Sequence, residues 1–326
     1  MQRDFARLFG IVTMQKLVVL NDEDITRLLP RTDVRAALER MFIALADGRA
    51  VQPPQTLSLF PAGGGDFITY PGVLGSDGVF GTKLSPYIPG TNGATVTAWT
   101  LLMSMETGKP LLLCDSKRLT TERTAATTAI AADLLASKEA KILTIIGTGE
   151  IGLAHLRHAA SIRPWQEIRL CSPDIANRHG LPVQLESGCP VTTSTYTDTA
   201  AAGADVVMLC TSSGTPVIDA SRFGAGVLVT SISTNVANAH EIAPDTLNRF
   251  DVYCDYRATT PAAAGEMKLA AERGQWSTDR LVGDLPELLS GRATARDTGR
   301  PGFFRSIGLG LEDIATASAL LSAARG

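Results

Sequence analysis

The sequence predicts an α/β fold in which a doubly wound parallel sheet is joined to a second domain of the α+β type. The first observation is length, because 326 residues make about two domains of common size. The second is composition, since 44% of the residues are hydrophobic, only 6% are aromatic and 30 are glycine. Such a composition favours many tight turns between strands and helices. The third is a regular alternation of strand-like and helix-like runs in the second half, which is typical of parallel sheets.

The balance of charge excludes several classes of partner. The chain carries 30 lysines and arginines against 33 aspartates and glutamates, a net charge of −3. So weak a charge offers no electrostatic attraction for nucleic acid or an anionic membrane. No apolar run approaches the ~18 residues that a membrane helix needs, and the N-terminus lacks the apolar core of a signal peptide. The five cysteines stand singly, which predicts reduced thiols, no bound metal and a soluble, cytoplasmic protein.

The first half of the chain predicts the α+β domain. Lys16–Leu20 is a strand-like run, and Thr32–Asp47 is predicted as a helix because its apolar residues recur at intervals of three and four. From residue 51 to residue 115, β-prone runs alternate with glycine and proline, which predicts a meander of antiparallel or mixed strands. The predicted strands are Thr56–Phe60, Phe67–Tyr70, Val79–Leu84, Val96–Ser104 and Pro110–Cys114.

The second half predicts the parallel sheet. A helix over Thr121–Ser137 precedes a strand over Lys141–Ile146, a helix over Leu153–Ile162 and a strand over Glu167–Cys171. Further predicted strands, with helical stretches between them, are Val191–Thr193, Val206–Thr211, Val227–Ser233 and Asp251–Asp255. This alternation places the strands side by side and the helices on the faces of the sheet.

A glycine-rich turn joins the first strand of this sheet to the helix that follows. Its residues, GTGEIG over 147–152, have the pattern GxGxxG. In that pattern Gly147 allows a tight turn, Gly149 lets the backbone approach a pyrophosphate, and Gly152, where we expect the helix to begin, allows close packing. The helix N-terminus adds free N–H groups that bind phosphate. The sequence therefore predicts a Rossmann domain whose cofactor-binding residues are Gly147, Thr148, Gly149, Glu150, Ile151 and Gly152.

Residues near the turn bear on which cofactor binds. The carboxylate of Glu150 would repel a pyrophosphate, so we expect this side chain to face solvent. The second strand is followed by Ser172, so no acid stands at the strand end to repel a 2′-phosphate. Arg178 could pair with that phosphate, which favours NADP and leaves NAD possible. Thr211 and Ser212 follow a later strand end and are expected to lie along the cofactor.

Four motifs, in one order along the chain, resemble the ornithine cyclodeaminase/mu-crystallin family. They are Gly81–Leu84, Leu119–Ala126, the glycine turn and Phe304–Asp313, and the resemblance extends from Met14 to the end. It implies a substrate-binding and dimerisation domain over residues 1–120, completed by residues 308–326, and a Rossmann domain over residues 121–307. It also implies a homodimer, and hydride exchange between a nicotinamide and the α-carbon of a small amino-acid or imino-acid substrate.

The resemblance also assigns substrate-binding and catalytic residues. Lys83 and Arg123 match the cations of the family, and a bidentate arginine–carboxylate pair would orient the substrate for hydride transfer. Tyr70 is expected either to line the substrate pocket or to pack in the core. Ser306, in the last of the four motifs, is expected near the nicotinamide.

Two departures from the family pattern narrow the reaction. Gln55 stands where the family usually has an arginine, so one carboxylate-binding cation is replaced by a neutral donor. Near Asn235, cyclodeaminases place an aspartate that handles the amine, whereas an amide cannot act as a general base. This disfavours ornithine cyclodeamination, although Glu241 or Asp255 could supply the missing acid. Asn235 stays a catalytic candidate because it can position the imine nitrogen or a water molecule.

From these residues we expect NAD(P)H-dependent reduction of a cyclic imino acid. The expected substrate is Δ1-pyrroline-2-carboxylate or Δ1-piperideine-2-carboxylate, and the product is L-proline or L-pipecolate. Three alternatives stay open. They are an alanine or opine-like amino-acid dehydrogenase, an ornithine cyclodeaminase, and a non-catalytic protein that binds small molecules as mu-crystallin does.

Overall fold

The computed structural model describes residues 16–91, 93–234, 236–294 and 296–326. These residues form two eight-stranded sheets and nine α-helices. Among them, no helix is both long enough and apolar enough to cross a membrane.

The first sheet belongs to the first half of the chain. Its elements are β1 (Val18–Leu20), α1 (Asp22–Leu28), α2 (Val34–Ala46), β2 (Ala50–Val51), β3 (Thr56–Leu59), β4 (Asp66–Leu74), β5 (Val79–Ile88), β6 (Thr95–Val96), β7 (Trp99–Ser104) and β8 (Pro110–Asp115). The strand order is β1-β8-β7-β5-β4-β2, with β3 paired to β4 and β6 paired to β5. Only β1 and β8 pair in parallel among these described strands, so the predicted meander of mixed strands is confirmed.

The second sheet belongs to the second half and is parallel throughout. Its strands are β9 (Ile142–Ile146), β10 (Glu167–Cys171), β11 (Val191–Ser194), β12 (Val206–Leu209), β13 (Leu228–Ser231), β14 (Asp251–Cys254), β15 (Leu281–Asp284) and β16 (Gly302–Arg305). The order is β11-β10-β9-β12-β13-β16-β14-β15. Because the chain runs outward from β9 first to one side and then to the other, the sheet is doubly wound, as predicted. Its helices are α4 (Glu150–Ala159), α5 (Thr197–Ala201), α6 (Thr260–Ala263), α7 (Gly265–Glu272) and α8 (Leu285–Leu289).

Two long helices tie the sheets together. Helix α3 (Lys117–Leu135) leaves the first sheet after β8 and ends shortly before β9. Helix α9 (Gly310–Arg325) follows β16 of the second sheet and packs against β4 and β5 of the first. A Cβ at Gly72 on β4 would lie 2.9 Å from atoms of both Leu311 and Ile314, so the absence of a side chain there lets α9 approach the sheet.

Several boundaries differ from the sequence prediction. Helix α3 begins at Lys117 rather than at Thr121, since the amide of Thr120 already donates to the carbonyl of Ser116 at 2.8 Å. Helix α4 begins at Glu150, so Gly152 lies within its first turn rather than at its start. Strands β15 and β16 were not predicted, because four residues that include a glycine carry no clear alternation.

Candidate active site

A cleft of about 1320 Å³ lies between the two halves of the molecule. One wall is formed where β9, β10, β12 and β13 end, which is the edge where parallel sheets bind ligands. The opposite wall comes from the first sheet, from α3 and from the segment after β16. Both walls contribute polar side chains and backbone, among them Tyr70, Lys83, Arg123, Thr148, Ser172, Arg178, Thr211, Ser212 and Ser306.

The glycine turn has the geometry that the sequence pattern predicts. Gly147 has a φ of 110°, and a Cβ there would lie 2.4 Å from the carbonyl oxygen of Cys210. A Cβ at Gly152 would lie 1.9 Å from the carbonyl oxygen of Gly147, so only glycine lets α4 start so close to the strand. Around Gly149, by contrast, no atom of the described residues lies within 4 Å of the Cβ position. The backbone at Gly149 is therefore open to the cleft.

The donors around this turn fit a dinucleotide. Gly149 is the N-cap of α4 and has no side chain to cap it, so the first N–H groups of the helix are free for an anion. The hydroxyl of Thr148 is buried and has no hydrogen-bond partner among the described residues. A phosphate oxygen would satisfy both kinds of donor. Glu150 is exposed, in agreement with the expectation that its carboxylate faces solvent.

The end of β10 is more crowded than the sequence prediction assumed. Ser172 donates a hydrogen bond to the carboxylate of Asp174, and Arg178 Nη2 lies 2.9 Å from Asp174 Oδ2. The hydrogen bond from Ser172 is the main cause that lowers the pKa of Asp174. An ionised carboxylate therefore joins the two residues that we expected to hold a 2′-phosphate. Arg178 can bind such a phosphate only by sharing or leaving Asp174.

Four charged side chains lie buried together on the other wall of the cleft. They are Lys83, Arg123, Glu312 and Asp313, and we call them the buried cluster. Lys83 Nζ lies 2.8 Å from Asp313 Oδ2. Arg123 Nε lies 3.1 Å from Asp313 Oδ1, and Arg123 Nη1 lies 3.1 Å from Glu312 Oε2. No side chain of the cluster is more than 6% exposed. Both cations were expected at the site from the sequence, whereas their acidic partners were not, although both acids lie in the motif Phe304–Asp313. Two adjacent acids in an otherwise apolar helix were the signal.

The electrostatics of the cluster favour an anionic ligand. Burial lowers the pKa of Lys83 to about 8, although the charge of Asp313 opposes the change. Burial also raises the pKa of Glu312 to about 8, against the attraction of Arg123. Near neutral pH, Glu312 therefore carries much less than a full negative charge. The two cations then outweigh the acids, and a substrate carboxylate would restore the balance.

Tyr70 and Thr120 complete the surroundings of Lys83. Lys83 Nζ lies 4.3 Å from the centroid of the Tyr70 ring, within the range of a cation–π contact. It also donates to the Thr120 hydroxyl at 3.2 Å. These contacts hold the ammonium in place at the edge of the cleft.

Gln55 lies at the site even though it departs from the family pattern. Its side-chain amide donates to the carbonyl oxygen of Gly308 at 2.7 Å. Gly308 has a φ of 76°, and a Cβ there would lie 2.2 Å from Arg123 Nη1. Gln55 thus holds the segment that covers Arg123. Arg123 Nη2 donates to no described residue, which leaves this nitrogen for a ligand.

Two buried acids fix the loops around the cleft. Asp255 accepts from the Ser306 hydroxyl at 3.0 Å and from the amides of Ile307 and Gly308 at 2.8 and 3.0 Å. The other acid, Glu241, accepts from donors at the ends of β12 and β13: Thr211 N and Oγ1, Ser231 Oγ, Ile232 N and Ser233 N. Because these carboxylates are already occupied by donors, they are positioning residues. The structure does not support the idea that either replaces a missing general base.

Asn235 lies outside the described residues, so its catalytic role stays a prediction. Its neighbours Ser233 and Thr234 line the cleft. Ser233 donates a hydrogen bond to the carbonyl oxygen of Ser213 at 2.6 Å, which ties the segment before Asn235 to the loop after β12.

Comparison with known proteins agrees with this geometry. Residues 15–326 match the sequence model of the ornithine cyclodeaminase/mu-crystallin family. The chain is 50% identical over 303 residues to the NAD(P)H-dependent anabolic L-arginine dehydrogenase DauB of Pseudomonas aeruginosa. That match covers 93% of this chain and 96% of the relative.

Solved structures share the whole fold at lower identity. A Δ1-pyrroline-2-carboxylate reductase of Thermococcus litoralis, in complex with NADH and L-proline, has a TM-score of 0.87 and 23% identity, and the match covers 94% of this chain and 97% of that one. An archaeal alanine dehydrogenase dimer with bound NAD has a TM-score of 0.82 and 23% identity, over 95% of this chain and 96% of that one. The two structures have different substrates but equal identity to this chain, so this level of likeness speaks for the fold alone.

Proposed function

Because this chain belongs to the ornithine cyclodeaminase/mu-crystallin family, we propose that it is an NAD(P)H-dependent oxidoreductase that reduces a linear 2-imino acid to an L-amino acid, with L-arginine as its product. The 2-imino acid would form from a 2-oxo acid and ammonia. The observation that carries the proposal is the 50% identity to an L-arginine dehydrogenase over nearly the full length of both chains. The amino-acid dehydrogenase that the sequence analysis kept as an alternative thus takes first place.

The prediction of a nicotinamide-dependent oxidoreductase acting on C–N bonds is confirmed by the similar L-arginine dehydrogenase. The nicotinamide, when bound, supplies or accepts the hydride at the substrate α-carbon. In this chain the backbone of the glycine turn and the Thr148 hydroxyl would hold the phosphates. Thr211, Ser212 and Ser306 would lie along the rest of the cofactor, because all three line the cleft beyond the turn.

The buried cluster would bind and orient the substrate. Its carboxylate would accept from Arg123 Nη2 and from Lys83 Nζ, the donors that face the cleft without being fully used. A charge-assisted pair of this kind stabilises a bound ligand by about 1.5–3 kcal/mol and also fixes its orientation. Asp313 fixes the positions of both cations relative to each other, since it contacts each of them.

Lys83 would also donate the proton that the reaction requires. Reduction of C=N adds a hydride to carbon and requires a proton on nitrogen. A lysine whose pKa is about 8 can give up a proton near neutral pH, whereas an ordinary lysine holds it. Thr120 fixes the ammonium through its hydroxyl, so the proton leaves from a defined position.

Reduction of a cyclic imino acid is the second candidate. The same cations would hold the carboxylate of Δ1-pyrroline-2-carboxylate, and this candidate is also favoured by a relative, a Δ1-pyrroline-2-carboxylate reductase of Colwellia psychrerythraea that is 26% identical over 225 residues. Ornithine cyclodeamination has less support, because Glu241 and Asp255 are occupied as hydrogen-bond acceptors.

A substrate panel separates these candidates. We would measure NADPH and NADH oxidation with 5-guanidino-2-oxopentanoate plus ammonia, pyruvate plus ammonia, and both cyclic imino acids, and ammonia release from L-ornithine. We expect the guanidino acid to have the highest kcat/KM. A higher value for a cyclic imino acid would replace the first proposal with the second. Binding of all compounds without turnover would instead favour a binding protein.

We also propose a homodimer that buries the outer face of the first sheet. Side chains on that face are apolar and exposed, and they line up across β5 and β7: Phe80, Leu84, Ile88 and Trp99. The similar alanine dehydrogenase is a dimer. Light scattering should give twice the chain mass. Leu84→Glu should yield monomers, and Val183→Glu, an exposed position of the second half, should not. A monomeric wild type would contradict the proposal.

A further inference from the structure

We propose that Asp66 binds the cationic end of the substrate side chain and thereby makes the enzyme select a guanidinium over a neutral side chain. This inference rests on the proposed function and adds to it the residue that recognises the far end of the substrate. It concerns specificity and assigns Asp66 no part in the transfer of hydride or proton.

The strand register places Asp66 on the face of the sheet that carries the site. Tyr70 on β4 is opposite Lys83 on β5, and Asp66, four residues earlier on β4, is opposite Tyr87. Alternate side chains of a strand share one face, so Asp66 and Tyr70 point to the same side of the sheet. At about 3.4 Å per residue, Asp66 lies roughly 14 Å along the strand from Tyr70.

The cleft follows part of the path between these two points, and Asp66 lies beyond the described residues that border it. Ser85 lies between Lys83 and Tyr87 on the same face of β5, and it borders the cleft. Val96 on β6 also borders the cleft and is opposite Tyr87, which is in turn opposite Asp66. The wall of the cleft therefore continues from Lys83 toward Asp66. A linear side chain attached to a carboxylate at Lys83 can extend along this wall, whereas a five-membered ring ends well short of Asp66.

The carboxylate of Asp66 lacks a partner within the described part of the chain. It is half-buried, accepts no hydrogen bond and forms no ion pair there. The two acids of the buried cluster differ in this respect, since Arg123 and Lys83 already bind them. A half-buried, unpaired carboxylate is a favourable site for a guanidinium, which can donate two parallel hydrogen bonds to it.

The charge of Asp66 also reaches the catalytic end of the cleft. The pKa of Tyr70 is raised, first by burial and then by the negative charges of Asp313 and Asp66. The carboxylate of Asp66 is thus close enough to influence the Tyr70 hydroxyl, in agreement with a position at the far end of a shared substrate channel.

The test compares two substrates in Asp66→Asn. We would measure kcat/KM, with NADPH and ammonia, for 5-guanidino-2-oxopentanoate and for the neutral 2-oxohexanoate, and take their ratio. Asp66→Asn should lower this ratio about 10- to 100-fold, the effect of losing one charge-assisted contact, with little change for the neutral acid. Asp66→Glu should keep most of the preference. Glu106→Gln, which removes an exposed carboxylate in the turn after β7, is the matched control and should leave the ratio unchanged.

The outcomes separate this inference from the proposed function. If the wild type prefers the guanidino acid and Asp66→Asn keeps that preference, the role of Asp66 is wrong and the arginine product stands. If the wild type shows no preference for the guanidino acid, both proposals are wrong. Activity on the neutral acid shows that the variant is folded, so a lowered ratio cannot come from misfolding.

Discussion

The glycine turn and the buried cluster face each other across one cleft, but they are built in opposite ways. The turn consists of six consecutive residues, and its proposed role depends on missing side chains at Gly147, Gly149 and Gly152. The cluster consists of four charged side chains from β5, α3 and α9, and Arg123 and Asp313 are separated by 190 residues. The turn depends on free space around its backbone, whereas the cluster depends on a balance of opposite charges.

This difference predicts different failures. A side chain added at the turn should weaken cofactor binding and leave the fold intact wherever there is space. A charge removed from the cluster should weaken both substrate binding and the fold, because an unpaired charge is left buried. The four predictions that follow test this contrast.

Arg123→Ala should have the largest effect. It removes a donor to the substrate carboxylate, and we expect kcat/KM to fall roughly 100- to 1,000-fold through a higher KM and a lower kcat. It also leaves Glu312 and Asp313 short of a partner, which costs about 3–5 kcal/mol of unfolding free energy. Steady-state kinetics, cofactor titration and thermal unfolding would measure the three quantities.

A second variant separates the two roles of Arg123. Arg123→Ala combined with Glu312→Gln should recover part of the stability, because an amide replaces the buried carboxyl that has lost its partner, but none of the activity. NADPH affinity should stay close to that of the wild type in both variants. Lost NADPH affinity with an unchanged KM would place Arg123 on the cofactor side of the cleft.

Gly149→Ala should weaken NADPH binding roughly 10- to 100-fold without lowering the melting temperature. Within the part of the chain that the structure describes, no atom meets the added methyl group, which therefore occupies the space offered to the pyrophosphate. Gly224→Ala is the matched control, since its Cβ also meets no atom but lies away from the cleft. Equal NADPH affinity in wild type and Gly149→Ala would show that the phosphates do not approach this turn.

The reductive rate should fall at alkaline pH as Lys83 loses its proton. Because the pKa of Lys83 is about 8 in the folded protein, we expect kcat/KM to decline about tenfold per pH unit above that value. Lys83→Arg keeps its charge and should lose this decline relative to the wild type in the same buffers. Identical pH profiles of the two proteins would assign the titration to another group.

Asp174→Asn should have the smallest effect. Removing this carboxylate frees Arg178 and Ser172, so the ratio of kcat/KM for NADPH to that for NADH should rise several-fold. Ser172→Asp should move the ratio in the opposite direction. A ratio that neither variant changes would mean that the ribose lies elsewhere.

The same contrast explains how much the sequence could predict. The glycine turn could be found because strand, turn and helix are contiguous, and Gly147 and Gly152 have the close contacts that the pattern predicts. Lys83 and Arg123 were found by resemblance to the family. Glu312 and Asp313 were missed as partners, because the sequence gives no measure of which side chains meet across 190 residues.

Local patterns also gave an incomplete account of some side chains. Ser172 and Arg178 were interpreted as a phosphate pocket, yet both bind Asp174, which lies between them in sequence. Strand β16 could not be predicted as a strand. Its consecutive residues Phe303 and Phe304 are both buried, on opposite faces of the sheet, so the sequence shows no alternation of apolar and polar residues. The proposed domain boundaries at residues 120 and 307 stay predictions.

The position of β16 has a consequence for how the molecule unfolds. This strand lies between β13 and β14, so β14 and β15 join the second sheet only through it. The chain then passes the loop held by Asp255 and continues into α9, which covers the first sheet. The stretch from β16 to α9 therefore belongs to both halves of the molecule. If it unfolds, both halves lose packing contacts. We expect denaturant to unfold the two halves together, in a single cooperative transition with coincident fluorescence and circular dichroism curves.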